Sequence, residues 1–132
     1  MYEVRNDVPG RTLHVTLRGS IGSEEMARFA AELRAASDSY ADRPHLCLAV
    51  MKGLTVMEPA AAQLLRERIA YTRQHGVVLC AHVVDTTLAR LQTLRIGIQA
   101  SGPDATLDCT SVEEAERVLA YHRKQLEAAA VG

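Results

Sequence analysis

Two kinds of hydrophobic pattern alternate along this chain, and the switches between them outline a fold. Leu13, Val15 and Leu17 alternate with more polar neighbours over Thr12 to Arg18, the period-two pattern of a strand with one solvated face. Tyr2 to Asp7 reads as a short strand before it, and Val8-Pro9-Gly10 supplies turn chemistry between them, so a hairpin comes first. His45 to Met51 and Val77 to Val84 are nearly continuous apolar runs, which suit strands covered on both faces in a parallel sheet. Ala105 to Cys109 reads as a short fifth strand.

Between these strands the apolar residues recur at helical spacing. Met26, Phe29, Ala30, Leu33 and Ala36 share one stripe behind Ser23, a candidate cap, and that helix should end near Tyr40 to Pro44. Ala61, Leu64, Leu65, Ile69 and Thr72 recur over Pro59 to His75, with Gly76 where a left-handed cap belongs. Asp85 or Thr86 can start a third helix through about Gln99, with Leu88, Leu91, Leu94 and Ile98 inward. Ser111 and Glu114 form a capping box that opens a final helix, with Val112, Ala115, Val118 and Leu119 on one side. The order predicts one α/β domain over residues 1–127: a single mostly parallel sheet, an antiparallel N-terminal hairpin and about four helices, followed by a frayed tail at 128–132.

Composition narrows the function classes. The 132 residues are 48% hydrophobic and 23% charged with a net charge of -1, which provides no long-range field for nucleic acid or an anionic membrane. The three cysteines, Cys47, Cys80 and Cys109, lie inside apolar runs and read as small buried residues of a reduced compartment. No segment resembles a signal peptide or reaches the roughly 18 apolar residues of a membrane span. The expectation is a cytoplasmic protein with neither nucleic acid nor membrane as partner; a homodimer is compatible with the sequence.

The place for a site is the junction Val50 to Leu65, where an apolar strand passes through Gly53 and a short loop into a helix whose first residue, Pro59, needs no N–H partner. The first turn is Pro59, Ala60, Ala61 and Ala62, with no reactive side chain, so the junction is shaped for recognition and not for catalysis. The carboxyl ends of the strands, where open α/β sheets hold ligands, add Lys52, Thr55, Glu58, Asp85, Thr86 and Thr87. Leu54, Val56 and Met57 make the loop apolar and leave two occupants open: a protein partner, or a small apolar or anionic ligand in a pocket beneath the helix. An enzyme would have to draw its acid–base chemistry from Lys52, Glu58 and Asp85, since no G-x-S-x-G elbow, G-x-G-x-x-G loop or Walker lysine is present.

One further constellation suggests a metal. His45-Leu46-Cys47 and Cys80-Ala81-His82 each place two ligands on one side of a strand, and both begin five residues before their strand's end. If the strands are parallel neighbours and the pairs are level, four ligand atoms could meet. Zinc ligands usually come from loops, however, so the expected reading is buried cysteines with His45 at an edge, and neither metal nor cofactor.

With the element order established, the junction resembles the signature region of the STAS domain, named for sulphate transporters and anti-sigma-factor antagonists. Gly53 matches the family's glycine, Leu54, Val56 and Met57 its apolar loop, Glu58 its second aspartate, and Leu64 with Leu65 its inward helix face. Ala60 falls where the family carries its phosphorylated serine or threonine, and Val50, Met51 and Lys52 stand where it carries an aspartate at the strand end. The resemblance implies the STAS fold and a regulatory role with a protein partner of the anti-sigma-factor or kinase kind. It also implies that the phosphorylation switch is gone. Divergent relatives similar to lipid carriers keep the apolar-ligand alternative in view.

Overall fold

The computed structural model describes residues 1–101 and 106–131. Five strands and four helices follow one another as β1 (Tyr2–Asp7), β2 (Thr12–Arg18), α1 (Ser23–Asp38), β3 (His45–Lys52), α2 (Pro59–Gln74), β4 (Val77–Val84), α3 (Thr87–Ser101), β5 (Thr106–Cys109) and α4 (Val112–Val131). The sheet order is β1-β2-β3-β4-β5, with β1 antiparallel to β2 and every later pair parallel. The α/β architecture is the one the hydrophobic pattern predicts.

That sequential order determines the layers. Each parallel crossover is right-handed as a rule, and all three step in the same direction across the sheet, so α1, α2 and α3 must lie on one face. Accordingly α1 packs on α2 and α2 on α3, while α4 packs on β3, β4 and β5. The larger core lies under the three helices, where Leu13, Val15, Leu17, Ala49 and Met51 meet Met26, Phe29, Leu33 and Leu65. The smaller core joins Leu46, Leu48, Leu79 and Ala81 to Ala115 and Leu119 of α4.

Several boundaries differ from expectation. Ser23 is the first residue of α1 and Gly22 occupies the cap position, with no side-chain capping bond. The capping box of α4 forms in a shifted version: the Ser111 hydroxyl accepts from the Glu114 N–H, and the Glu114 carboxylate accepts from the N–H and hydroxyl of Thr110. Residues 128–131, expected to fray, continue α4, while Ala105 and Gly132 lie outside the described residues.

The largest correction concerns α3. Leu88, Leu91 and Ile98 are exposed and Leu94 is half-buried, whereas Ala89, Thr93 and Ile96 face inward. The helix is apolar on both sides, so its pattern alone does not fix its rotation. Small residues settle the matter: Ala89 and Thr93 permit close approach to the sheet, and Thr93 donates its hydroxyl to the Ala89 carbonyl at 2.9 Å, which makes it fit for burial. Among the described residues no helix is long and apolar enough to cross a membrane.

Candidate functional site

The β3–α2 junction is a rigid, exposed platform. Gly53 follows β3 with φ +57°, a left-handed conformation that glycine adopts without strain. Its N–H donates to both carboxylate oxygens of Asp85, at 3.1 and 3.0 Å, so the end of β4 clamps the start of the loop. On the other side the Gly19 N–H donates to the Lys52 carbonyl and the Thr55 N–H to the Gly19 carbonyl, both at 3.0 Å. From α3, Gln92 accepts from the Met57 N–H at 2.8 Å and donates to the Thr55 carbonyl at 3.2 Å. Three elements thus tie down a loop that has no regular structure of its own.

Its side chains divide accordingly. Leu54 and Met57 are buried in the larger core, while Lys52, Thr55, Val56, Glu58 and Ala60 are exposed. The pocket that the ligand alternative needs, lined jointly by Leu54, Val56 and Met57, is not formed among the described residues, because Val56 is 66% exposed while its two partners are buried. Pro59 begins α2 as expected, and no side chain caps that helix start. Thr86 is the cap of α3, its hydroxyl accepting from the Ala89 N–H at 3.2 Å, whereas Asp85 clamps the loop. Thr87 is exposed.

The polar cluster does not converge as an acid–base site would. Lys52, Glu58 and Asp85 share no hydrogen bond or ion pair among the described residues, and the Asp85 carboxylate is already occupied by the Gly53 N–H.

The four candidate metal ligands do not assemble either. Cys47 lies opposite Cys80 in the β3–β4 ladder, a register that puts His82 beside Ala49, and a shift between His45 and Leu46 pairs His45 with Val77. Four residues of strand, about 13 Å, separate the two histidine positions along the sheet. No group of three or more such ligands is placed to hold an ion among the described residues. Elemental analysis of the purified protein is expected to show no stoichiometric zinc. One zinc per chain that disappears in Cys47→Ser or His82→Ala would overturn this reading.

His45, expected at an edge, is in fact fully buried. Its Nδ1 lies 2.7 Å from the Arg43 carbonyl, which can only accept, so that nitrogen carries the proton; Nε2 then accepts from the Ser37 hydroxyl at 2.9 Å. The ring stacks on Tyr40 at 4.2 Å, and burial lowers its pKa. Gly76 is required beside it: with φ +116°, a Cβ there would lie 2.5 Å from the Arg43 carbonyl oxygen and 2.9 Å from His45 Nδ1. His45 is a structural histidine.

Two features escaped sequence reasoning. The first is the exposed stripe of α3, Leu88, Leu91 and Ile98, whose spacing fits an inward face equally well. The second is a groove of about 360 Å³ on the α4 side of the sheet, lined by Arg5, Asp7, His14, Glu116 and Arg123. Alternation along β1 and β2 was the signal for it, since α4 covers only the later strands. Burial and then Arg5 lower the His14 pKa, and Arg123 is already bonded to the Gly10 carbonyl and the Thr12 hydroxyl. The groove mixes both charge signs without a common target.

In comparisons with known proteins, no family model matches the chain, and neither a curated protein nor a solved structure matches it.

Proposed function

We propose that this chain is a STAS-like docking module, non-catalytic and cytoplasmic, that engages a protein partner through the Gly53 to Ala60 junction and the outer face of α3. The observation that carries this reading is the exposure of α3: Leu88 and Leu91 are each 63% exposed and Ile98 is 51% exposed, with Val56 of the adjoining loop at 66%. A helix apolar on both sides is ordinarily covered on both, and clustered exposed apolar side chains mark contact surfaces. Gln92, which holds the loop on either side of Val56, lies on α3 one turn after Leu88 and next to Leu91, so loop and stripe belong to one surface.

The clamps from Asp85, Gly19 and Gln92 support the same reading. A surface already fixed before binding loses less conformational entropy on association. Lys52, Glu58 and Arg95 would supply a polar rim around the apolar centre. The partner class suggested by the resemblance is an anti-sigma-factor-like or kinase-like protein.

Docking would be constitutive, because Ala60 offers no phosphate acceptor. A kinase that modifies antagonist-type STAS domains is expected to leave this helix start unmodified in mass spectrometry. Thr55 is the exposed hydroxyl of the loop, and phosphate found on it in cells would replace constitutive docking with a displaced switch. To test the proposal itself, parent and a Leu88→Glu, Leu91→Glu double variant are used as affinity baits, and each captured protein is then purified and titrated against both. Specific partners should bind the parent alone. A partner that binds both equally would remove α3 from the interface.

A further inference from the structure

A cavity of about 60 Å³ lies between the three-helix layer and the sheet, away from the docking surface. Its origin is local and chemical. Cys47, Ala49 and Cys80 stand side by side on the helix-facing surface of β3 and β4, and Gly97 of α3 lies on the opposing wall, so short side chains meet across the gap. Most of the remaining lining is aliphatic.

Two polar side chains break that apolar wall without being satisfied. His82 is 5% exposed, and its Nδ1 is buried with no hydrogen-bond partner among the described residues. Arg73, a half-buried residue on the last turn of α2, has its Nη1 buried and likewise without a partner among the described residues. Native interiors rarely leave such atoms unpaired, and one that lines a cavity points to something that occupies it. The titratable group facing Arg73 is Cys80, and contact with Cys47 together with burial raises that thiol well above its usual range. Cys80 therefore stays neutral, and no anion balances the guanidinium among the described residues.

We propose that this cavity binds a small monocarboxylate of two or three carbons, its carboxylate paired with Arg73 and hydrogen-bonded by His82, its alkyl part resting on Ala49 and the cysteines. The charge calls for an anion, and the planar fork of arginine suits a carboxylate. At about 10–15 Å³ for each water-sized sphere the cavity holds roughly four to six heavy atoms, which sets the limit at a short acid. A dicarboxylate would bring a second charge to a lining that holds one cation. This inference is independent of the docking proposal, and either can fail alone.

The full-length chain is titrated with acetate, propionate, hexanoate and the neutral isostere propionamide, followed by backbone and imidazole NMR shifts around Ala49 and His82. Acetate and propionate should shift these signals saturably, while hexanoate and propionamide should bind at least about tenfold more weakly. Arg73→Met keeps the aliphatic stem and should lose at least tenfold in propionate affinity, with partial recovery in Arg73→Lys. Ala49→Val narrows the cavity floor and should abolish binding, which keeps the test decisive if Arg73 variants do not fold. Propionamide binding as tightly as propionate, full affinity in Arg73→Met, or no saturable shift with either short acid at millimolar concentration would each overturn the proposal, the last by leaving the cavity to water.

Discussion

Acidification from pH 7.5 to pH 4.5 should remove about 2.5 kcal/mol of stability through His82 alone. Burial pushes the pKa of His82 from 6.5 down to about 4, so the folded state holds this ring neutral while the unfolded chain takes up a proton. Between those two values the unfolded state binds more protons, and stability therefore falls as pH falls through 6.5 and levels off below 4. The full shift of 2.5 units corresponds to about 3 kcal/mol, most of it lost by pH 4.5. His45, also lowered by burial, adds in the same direction. Urea unfolding of the parent and of His82→Leu at the two pH values isolates the term: the variant should lose about 2.5 kcal/mol less over the interval. Parallel losses in the two proteins would show that His82 does not carry the acid sensitivity.

Replacing Ala60 with Asp is the second large effect, and its two consequences oppose each other. Ala60 is exposed in the uncapped first turn of α2, where a carboxylate meets the positive end of the helix dipole. For the isolated fold that is neutral or stabilising by about 0.3–1 kcal/mol. In an interface the same carboxylate would be buried without a partner, and losses of about 2–5 kcal/mol are usual for such unpaired charges. The corresponding loss of affinity is roughly 30- to several-thousand-fold. Ala60→Asp is therefore expected to keep the parent melting temperature and to lose the docked partner in calorimetric titration. Glu127→Lys, on the exposed side of α4, should change neither. Parent-like affinity in Ala60→Asp would place the interface elsewhere.

Legibility in the sequence followed the distance over which each feature is determined. Strands β3 and β4 declared themselves through unbroken apolar runs, and α2 through Pro59 and Gly76, because composition and local chemistry are sufficient there. The rotation of α3 was not legible: Leu88, Leu91, Leu94 and Ile98 make as good a stripe as Ala89, Thr93 and Ile96, and the choice rests on how closely the helix approaches the sheet. His45 misled because Pro44 beside it suggests an edge, while the Ser37 hydroxyl, the Tyr40 ring and the Arg43 carbonyl that bury it come from the end of α1 and the loop that follows. The same limit applied to the metal constellation, where the ladder sets Cys47, not His45, opposite Cys80, two residues from the register the four ligands need. At the site, Gly53 and Pro59 were readable from their backbone demands. The roles of Asp85 and Gln92 were not, since each acts on a backbone group more than thirty residues away.

The division of labour between the two faces of the sheet bears on the way this chain is made. Synthesis delivers elements in order, so β1 through α3 can assemble one complete face while the chain is still growing. The opposite face has no such early cover. Leu46, Leu48, Leu79 and Ala81 wait for α4, the last of the elements to appear, and at ordinary elongation rates the delay is on the order of seconds. Until α4 packs, the chain presents a bare aliphatic sheet opposite its helical layer, and α4 alone among the four helices closes that face.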